Sequence, residues 1–231
     1  MANIIINNDT TSSLTLGTND NVYIGRNGSL VANTGIIGSG VNNLDVIIDG
    51  SLIALAGSAM RFTDVGPDLE ISVGTTGRVL GAANAPTLQV NGTTTANLVL
   101  TNAGLMSNAD SRVVNYEGSG RVSIVNSGDM LSGNFGGGEG TVIRSLGDLD
   151  VLNTGDMIGG DEVFVTVGDT DLSVVNGGAI AGLVFTSAQG DVRVSNTGSI
   201  STESAFIIDG GGTDPEQKYE IENAGLMSIG G

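Results

Sequence analysis

The chain has 231 residues and a formal net charge of −17, from 25 acidic and 8 basic residues. Such a surface repels nucleic acid and anionic lipid, because binding to either depends on Lys and Arg neutralising phosphates. Without Cys or His, the chain excludes catalytic triads and thiol mechanisms. Its 38 glycines lack the three-residue period of collagen.

The N-terminal residues already predict strands, in Asn3–Asn7 and Ser13–Gly17. They contain no basic region followed by an apolar stretch, so they do not form a Sec signal peptide. No apolar run approaches the length of a membrane span, so no membrane insertion is expected. The protein stays inside the cell, has lost a signal, or leaves by a route that depends on another part of the chain.

A short phrase then recurs nine times: apolar, any, apolar, any, usually Asn, any, Gly, any, apolar. Its glycines are Gly28, Gly50, Gly77, Gly104, Gly128, Gly155, Gly178, Gly198 and Gly225. The positions six before, four before and two after each glycine are apolar in every copy. A repeat of roughly 20–30 residues with a period-2 apolar pattern is typical of a stacked β-solenoid.

One copy shows how the phrase becomes a coil. Leu172 and Val174 share one face of a strand, because side chains alternate along a strand. Asn176 and Gly178 are expected to turn the chain through left-handed backbone angles. Residues 162–167 supply a third strand, and three strands with corners form a triangular coil. The sequence predicts one all-β domain over residues 1–231, with first strands in 1–19, repeat coils in 20–229, and about nine to ten coils in total.

Asparagine recurs two residues before the glycine in six copies. These residues are Asn102, Asn126, Asn153, Asn176, Asn196 and Asn223. Stacked at one corner, their amides could hydrogen-bond from coil to coil as a ladder. Alternatively, each amide satisfies only its own turn.

The phrases Val192-Arg-Val-Ser-Asn-Thr-Gly-Ser-Ile200 and Val151-Leu-Asn-Thr-Gly-Asp-Met157 resemble repeats of bacterial secreted adhesins, autotransporter passengers and type I-secreted solenoids. The resemblance implies a single-stranded right-handed parallel β-helix in a secreted or cell-surface protein. It is specific for the fold and not for activity, since many activities occur on this scaffold.

Two segments are candidate calcium sites. Asp20 in Gly17–Gly25 and Glu139 in Gly136–Gly140 look like fragments of the RTX glycine-aspartate repeat. Neither fragment is in tandem, whereas an RTX site takes ligands from consecutive turns. The other Gly-Asp pairs are expected to be ordinary polar turns, so no cofactor is predicted and calcium stays an alternative.

No catalytic residue is predicted. At the outward positions five before each glycine, no two carboxylates occupy adjacent coils, so a glycosidase pair is not expected there. Arg193 beside Glu220 is expected to be a surface ion pair. The chain is therefore interpreted as non-enzymatic, with a polysaccharide lyase or hydrolase as the alternative.

Three apolar residues in successive coils, Val125, Leu152 and Val175, fall on outward positions. A contiguous outward stripe indicates a lateral partner. The alternative is that the strand twists near its corner and covers these side chains.

Neither end of the repeat carries a predicted cap, although natural solenoids cover their terminal coils. Either the chain is a piece of a longer solenoid, or subunits stack end to end into a fibre. The residues expected at such a joint are Ile4, Ile5, Ile6, Leu226, Met227 and Ile229.

The leading functional hypothesis is an extracellular structural scaffold that self-assembles head to tail into filaments or matrix, or serves in surface adhesion. Its expected partners are copies of itself and cell-surface or matrix polysaccharide. The alternatives are a polysaccharide-acting or carbohydrate-binding β-helix and a calcium-dependent module of a type I-secreted protein.

Overall fold

The computed structural model describes residues 1–92, 95–133, 140–188, 190–202, 207–208 and 217–230. Its first sheet contains ten parallel strands, one above the other. They are β1 (Asn3–Ile6), β4 (Asn21–Ile24), β7 (Leu44–Ile48), β10 (Asp68–Val73), β13 (Asn97–Asn102), β16 (Val122–Asn126), β19 (Leu149–Asn153), β21 (Leu172–Asn176), β23 (Val192–Asn196) and β26 (Tyr219–Asn223).

The second and third faces are parallel stacks as well. The second face contains β2 (Asp9–Thr10), β5 (Ser29–Ala32), β8 (Ser51–Ala54), β11 (Arg78–Leu80), β14 (Leu105–Asn108), β17 (Asp129–Ser132), the start of β20 (Asp156–Gly168), the start of β22 (Ala179–Ala188), β24 (Ser199–Thr202) and β27 (Leu226–Ile229). The third face contains β3 (Leu14–Leu16), β6 (Ile36–Ser39), β9 (Met60–Thr63), β12 (Leu88–Asn91), β15 (Val114–Tyr116), β18 (Thr141–Ser145), the ends of β20 and β22, and β25 (Ile207–Ile208).

The chain is thus an all-β parallel β-solenoid, as the sequence predicts, and the ten stacked strands that the described residues form in its first sheet are close to the expected nine to ten coils. In two coils, β20 and β22 continue through the corner between the second and third faces, so these faces form one 17-stranded sheet. The described residues include no helix that could cross a membrane. The right-handedness of the coil stays a prediction.

The core is the narrow space inside the coils. In β19, Leu149 and Val151 are buried while Leu152 is 43% exposed, because alternate side chains point to opposite faces. The three apolar positions of the repeated phrase are buried in the first eight copies. Stacking coils therefore makes one continuous core of mainly aliphatic side chains, with few aromatic residues.

The corner between the first and second faces differs in length from coil to coil. The constant spacing between the apolar residues and the repeated glycine does not reveal this difference. After β7, two residues, Asp49 and Gly50, lead to the next strand, whereas β10 is followed by the four residues 74–77. The register consequently pairs Ile71 with Val46 and not, as counting back from glycine implies, with Leu44. The offset is two residues, so the inward face predicted from the sequence is preserved.

The repeated glycines serve a different purpose from the one expected. None of the nine has a positive φ, and neither has any ladder asparagine. A Cβ at Gly155 would instead lie 2.1 Å from the carbonyl oxygen of Gly128 in the preceding coil, far inside van der Waals contact. The next residue, Asp156, donates its backbone N–H to that same oxygen at 2.9 Å. Glycine is required here because the backbones of adjacent coils approach closely.

Candidate interaction surfaces

The six asparagines form an unbroken ladder inside one corner. Each Nδ2 donates to the Oδ1 of the asparagine in the following coil, over five successive bonds of 2.7–2.8 Å. The amides from Asn102 to Asn196 are at most 1% exposed, whereas Asn223 in the last coil is exposed. The parallel in-register stack produces this ladder because it places identical side chains directly above one another.

The same amides also satisfy their corners. Asn153 Nδ2 lies 3.0 Å from the Gly155 carbonyl oxygen of its own corner and 3.2 Å from the Ala179 carbonyl oxygen of the next coil. The two interpretations of these asparagines, ladder or turn, therefore both describe the structure. A buried amide with all these partners fixes the corner at low net cost, since buried polar groups are stable only when hydrogen-bonded.

The first four coils fill the ladder position with aliphatic side chains. Val73 pairs with Asn102 above it and Ile48 below it, and the stack continues through Ile24 to Ile6. One corner thus has an aliphatic half and an amide half. The change occurs between Val73 and Asn102.

A second ladder, which the sequence reasoning missed, lies at the corner where the strands of the first sheet begin. The Oδ1 atoms of Asp148, Asp171 and Asp191 accept hydrogen bonds of 2.8–3.0 Å from the backbone N–H of the equivalent residue one coil later. All three side chains are exposed. The sequence does contain a signal for this ladder, because an Asp directly precedes the first inward residue in three successive coils. The search for Gly-Asp pairs found Asp148 and Asp191 but not Asp171, which does not follow a glycine.

An open groove of about 400 Å³ lies over this edge of the first sheet, lined by the three aspartates and by Asp150 and Glu220 among others. Arg121 pairs with Asp150, and Arg193 Nε lies 2.8 Å from Glu220 Oε2. The predicted ion pair of Arg193 is therefore present. Both pairs are solvent-accessible, so their contribution to stability is small.

The outward apolar stripe is exposed. Val125, Leu152 and Val175 pair in register across three successive coils and are 38%, 43% and 47% exposed. The alternative that the corner covers them is wrong. Val99 is exposed in the neighbouring outward row. Ile47 lies in the row of Val125, separated from it by Thr101 and Ser72 in the two coils between them.

Asp20 is occupied by backbone donors. Its Oδ1 accepts from the Ala2 N–H at 2.6 Å and its Oδ2 from the Gly17 N–H at 2.8 Å. These two bonds lower the pKa of the Asp20 carboxyl, and the bond from Gly17 has the larger effect. The carboxylate thereby links the corner at Gly17 to the backbone at Ala2. Glu139 lies outside the described residues, among which no group of three or more acidic, His or Cys side chains could hold a metal.

One expectation about carboxylates is wrong. Because the corner after β10 is longer, Asp45 pairs with Glu70 on the adjacent strand. Both side chains are on the outward face, about 4.8 Å apart at the backbone. The sequence reasoning compared Asp45 with Ser72, two residues along the strand from its true neighbour.

The two end coils leave core positions and strand edges open. Among the described strands, β1 pairs only with β4, and β26 only with β23. In the last coil Ile221 and Met227 are 46% and 36% exposed, and Leu226 and Ile229 of the predicted joint are 62% and 69% exposed. At the opposite end, Ile5 is 62% exposed, Ile4 is half-buried and Ile6 is buried.

Comparison with known proteins gives no relative: no family model, curated protein or solved structure matches the chain. The class that the fold defines is the parallel β-solenoid, and any functional assignment depends on the surfaces described above.

Proposed function

We propose that the protein is a non-enzymatic structural scaffold that associates end to end, as part of an extracellular filament or matrix or of an adhesive surface. The observation that carries the proposal is the open core of the last coil. Ile221 and Met227 are 46% and 36% exposed, whereas Val194 and Ile200 directly beneath them are 1% exposed. Apolar core positions with unpaired strand edges favour a further parallel strand.

The strand register defines the joint. The register pairs lead from Ile4 through Val22 and onward to Val194 and Ile221. Ile4 in the first coil and Ile221 in the last coil therefore occupy the same position along their strands. Stacking β1 of one copy on β26 of another would bring these two isoleucines together. The same joint would set Ile6 on Asn223, whose amide would keep its 3.2 Å bond to the Gly225 carbonyl oxygen but gain no ladder partner. The joint is therefore weaker than an internal coil contact, and association should depend on protein concentration.

The remaining surface fits an exposed, crowded environment. With a net charge of −17, laterally approaching rods repel one another, which limits sideways aggregation. The resemblance to secreted adhesins, autotransporter passengers and type I-secreted solenoids supports a place outside the cell or on its surface, with matrix polysaccharide as a further partner.

Sedimentation velocity over a range of concentrations tests the proposal. We expect the wild-type mass to rise with concentration and Ile221→Lys, which places a charge in the joint, to remain monomeric. Ile158→Lys is the matched control, since Ile158 is 41% exposed on the second face and away from both ends. A wild-type protein that stays monomeric at every concentration would overturn the proposal.

A second candidate function has one observation in its favour. Asp45 and Glu70 are neighbours on an outward face, and retaining glycosidases require two carboxyl groups about 5–5.5 Å apart. This supports a polysaccharide-acting β-helix as the alternative. Release of reducing sugar from acidic polysaccharides, lost in Asp45→Asn and in Glu70→Gln, would favour it over the scaffold.

A further inference from the structure

Two parallel rows of side chains on the first sheet have no role in end-to-end assembly. The apolar row is Val125, Leu152 and Val175, and the acidic row is Asp148, Asp171 and Asp191. Both rows run along the rod over successive coils, and neither includes a residue of the edge strands β1 or β26. From their arrangement we propose that this face docks an extended cationic segment of a partner polypeptide.

The charges favour a cationic occupant over a second copy of the chain. The acidic row is held rigidly, because each Oδ1 accepts a backbone hydrogen bond from the next coil. In the groove, Asp150 pairs with Arg121 and Glu220 pairs with Arg193. Lys218 also lines it, so its five carboxylates exceed its three cationic side chains by two. A second copy would add the same carboxylates to the interface, and bringing like charges together out of water is unfavourable. Lys or Arg side chains would instead complement the acidic row in the groove of about 400 Å³.

The spacing of the rows defines the sequence pattern of the occupant. Asp148 directly precedes β19 and Leu152 lies within it, four residues farther along the chain, with Asp150 between them. A partner strand lying flat over the sheet and aligned with β19 has the same repeat, about 6.7 Å for every two residues. Its docking side would therefore carry a basic residue, a small polar residue and an aliphatic residue at every second position. The basic residue faces the acidic row and the aliphatic residue faces the apolar row.

A synthetic peptide with this pattern provides the probe: two copies of Lys-Thr-Ser-Thr-Val-Thr-Ser-Thr. Titration into the full chain, followed by the chemical shifts of backbone amides, detects binding even at millimolar affinity. We expect shifts concentrated at the two rows. Leu152→Ser should lower the affinity about fivefold through lost apolar contact. Asp148→Asn removes the negative charge aligned with Leu152 but keeps an acceptor oxygen for the Asp171 N–H. It should lower the affinity about twofold to fivefold, the range of one exposed ion pair.

Matched controls lie on the second face. Ile158→Ser and Asp129→Asn change an exposed apolar and an exposed acidic residue and should leave the affinity unchanged. Absence of shifts at the rows, equal shifts around Asp129, or equal binding of a peptide with Glu in place of Lys would each overturn the proposal. Concentration-dependent shifts at the apolar row without peptide, lost in Leu152→Asp, would assign the face to a second copy instead. End-to-end association, measured with Ile221→Lys, can fail without affecting any of these outcomes.

Discussion

Replacing Asn153 with Ala tests the asparagine ladder at its centre. The side chain accepts from Asn126 Nδ2 and donates to Asn176 Oδ1, both at 2.8 Å, and also serves the Gly155 and Ala179 carbonyl oxygens. Losing two ladder bonds costs about 1 kcal/mol each, and leaving a buried amide group short of a partner adds about 1–3 kcal/mol. The free energy of unfolding should therefore fall by about 3–5 kcal/mol.

The measurement is urea unfolding followed by circular dichroism, with Asn223→Ala as the control. Asn223 makes the same kind of ladder bond at 2.7 Å but is exposed at the last coil. Water can replace its bonds, so its loss should cost less than about 1 kcal/mol.

The aliphatic half of the corner adds a second comparison. Because Ile24, Ile48 and Val73 occupy the same position without polar atoms, replacing all six asparagines with Val should cost much less than six times one replacement. Removing both partners of a buried hydrogen bond is nearly neutral, whereas removing one is not. Equal costs at Asn153 and Asn223, or strictly additive costs along the ladder, would refute this reasoning.

Three further predictions concern local contacts. Gly155→Ala should lower the melting temperature strongly, because its Cβ would lie 2.1 Å from a carbonyl oxygen. At Gly177 the nearest atom to an added Cβ is 3.8 Å away, so the same substitution should have little effect. Equal melting temperatures of the two variants would contradict the close-approach explanation. Hydrogen bonds lower the pKa of Asp20, so its carboxylate should stabilise the fold above its unfolded pKa of about 3.9. That contribution to stability should disappear as the pH falls through the lower pKa of the folded state. If the wild type remains more stable than Asp20→Asn at the lowest pH, the stabilisation does not come from the ionised carboxylate. Chelator should leave the melting temperature unchanged, and a marked fall on chelation would establish a calcium requirement.

The sequence predicted the coils well because the signal for them is local and repeated. Leu149 and Val151 alternate with polar or outward residues in the same way as their equivalents in the other copies, and burial follows from that alternation. A two-residue change in corner length does not disturb it, so the inward face was correct even where the register was not. Strand partners such as Asp45 and Glu70 could not be identified, because corner length is set by backbone packing between coils and the count from glycine does not reveal it.

The physical reason for the glycine that recurs at this corner could not be predicted from the sequence either. Asn and Gly together suggest left-handed turn angles, yet the structure places positive φ at Asn19, Asn43, Asp64 and Asn84 and not in the repeated phrase. To distinguish left-handed turn angles from close backbone approach, one must know that the Gly128 carbonyl oxygen lies directly beneath Gly155. That contact joins residues in different coils. The acidic row was overlooked for a similar reason, since its members are adjacent only after the coils stack.

Electron microscopy of the purified protein at rising concentration, with and without chelator, tests end-to-end assembly most directly. One copy spans about 45 Å along its ten coils at the usual strand spacing, so assembly should produce rods in multiples of that length with the width of a single coil, in both conditions. Isolated particles of one unit length at every concentration would contradict the account, and rods that form only when calcium is present would replace it with a calcium-dependent one.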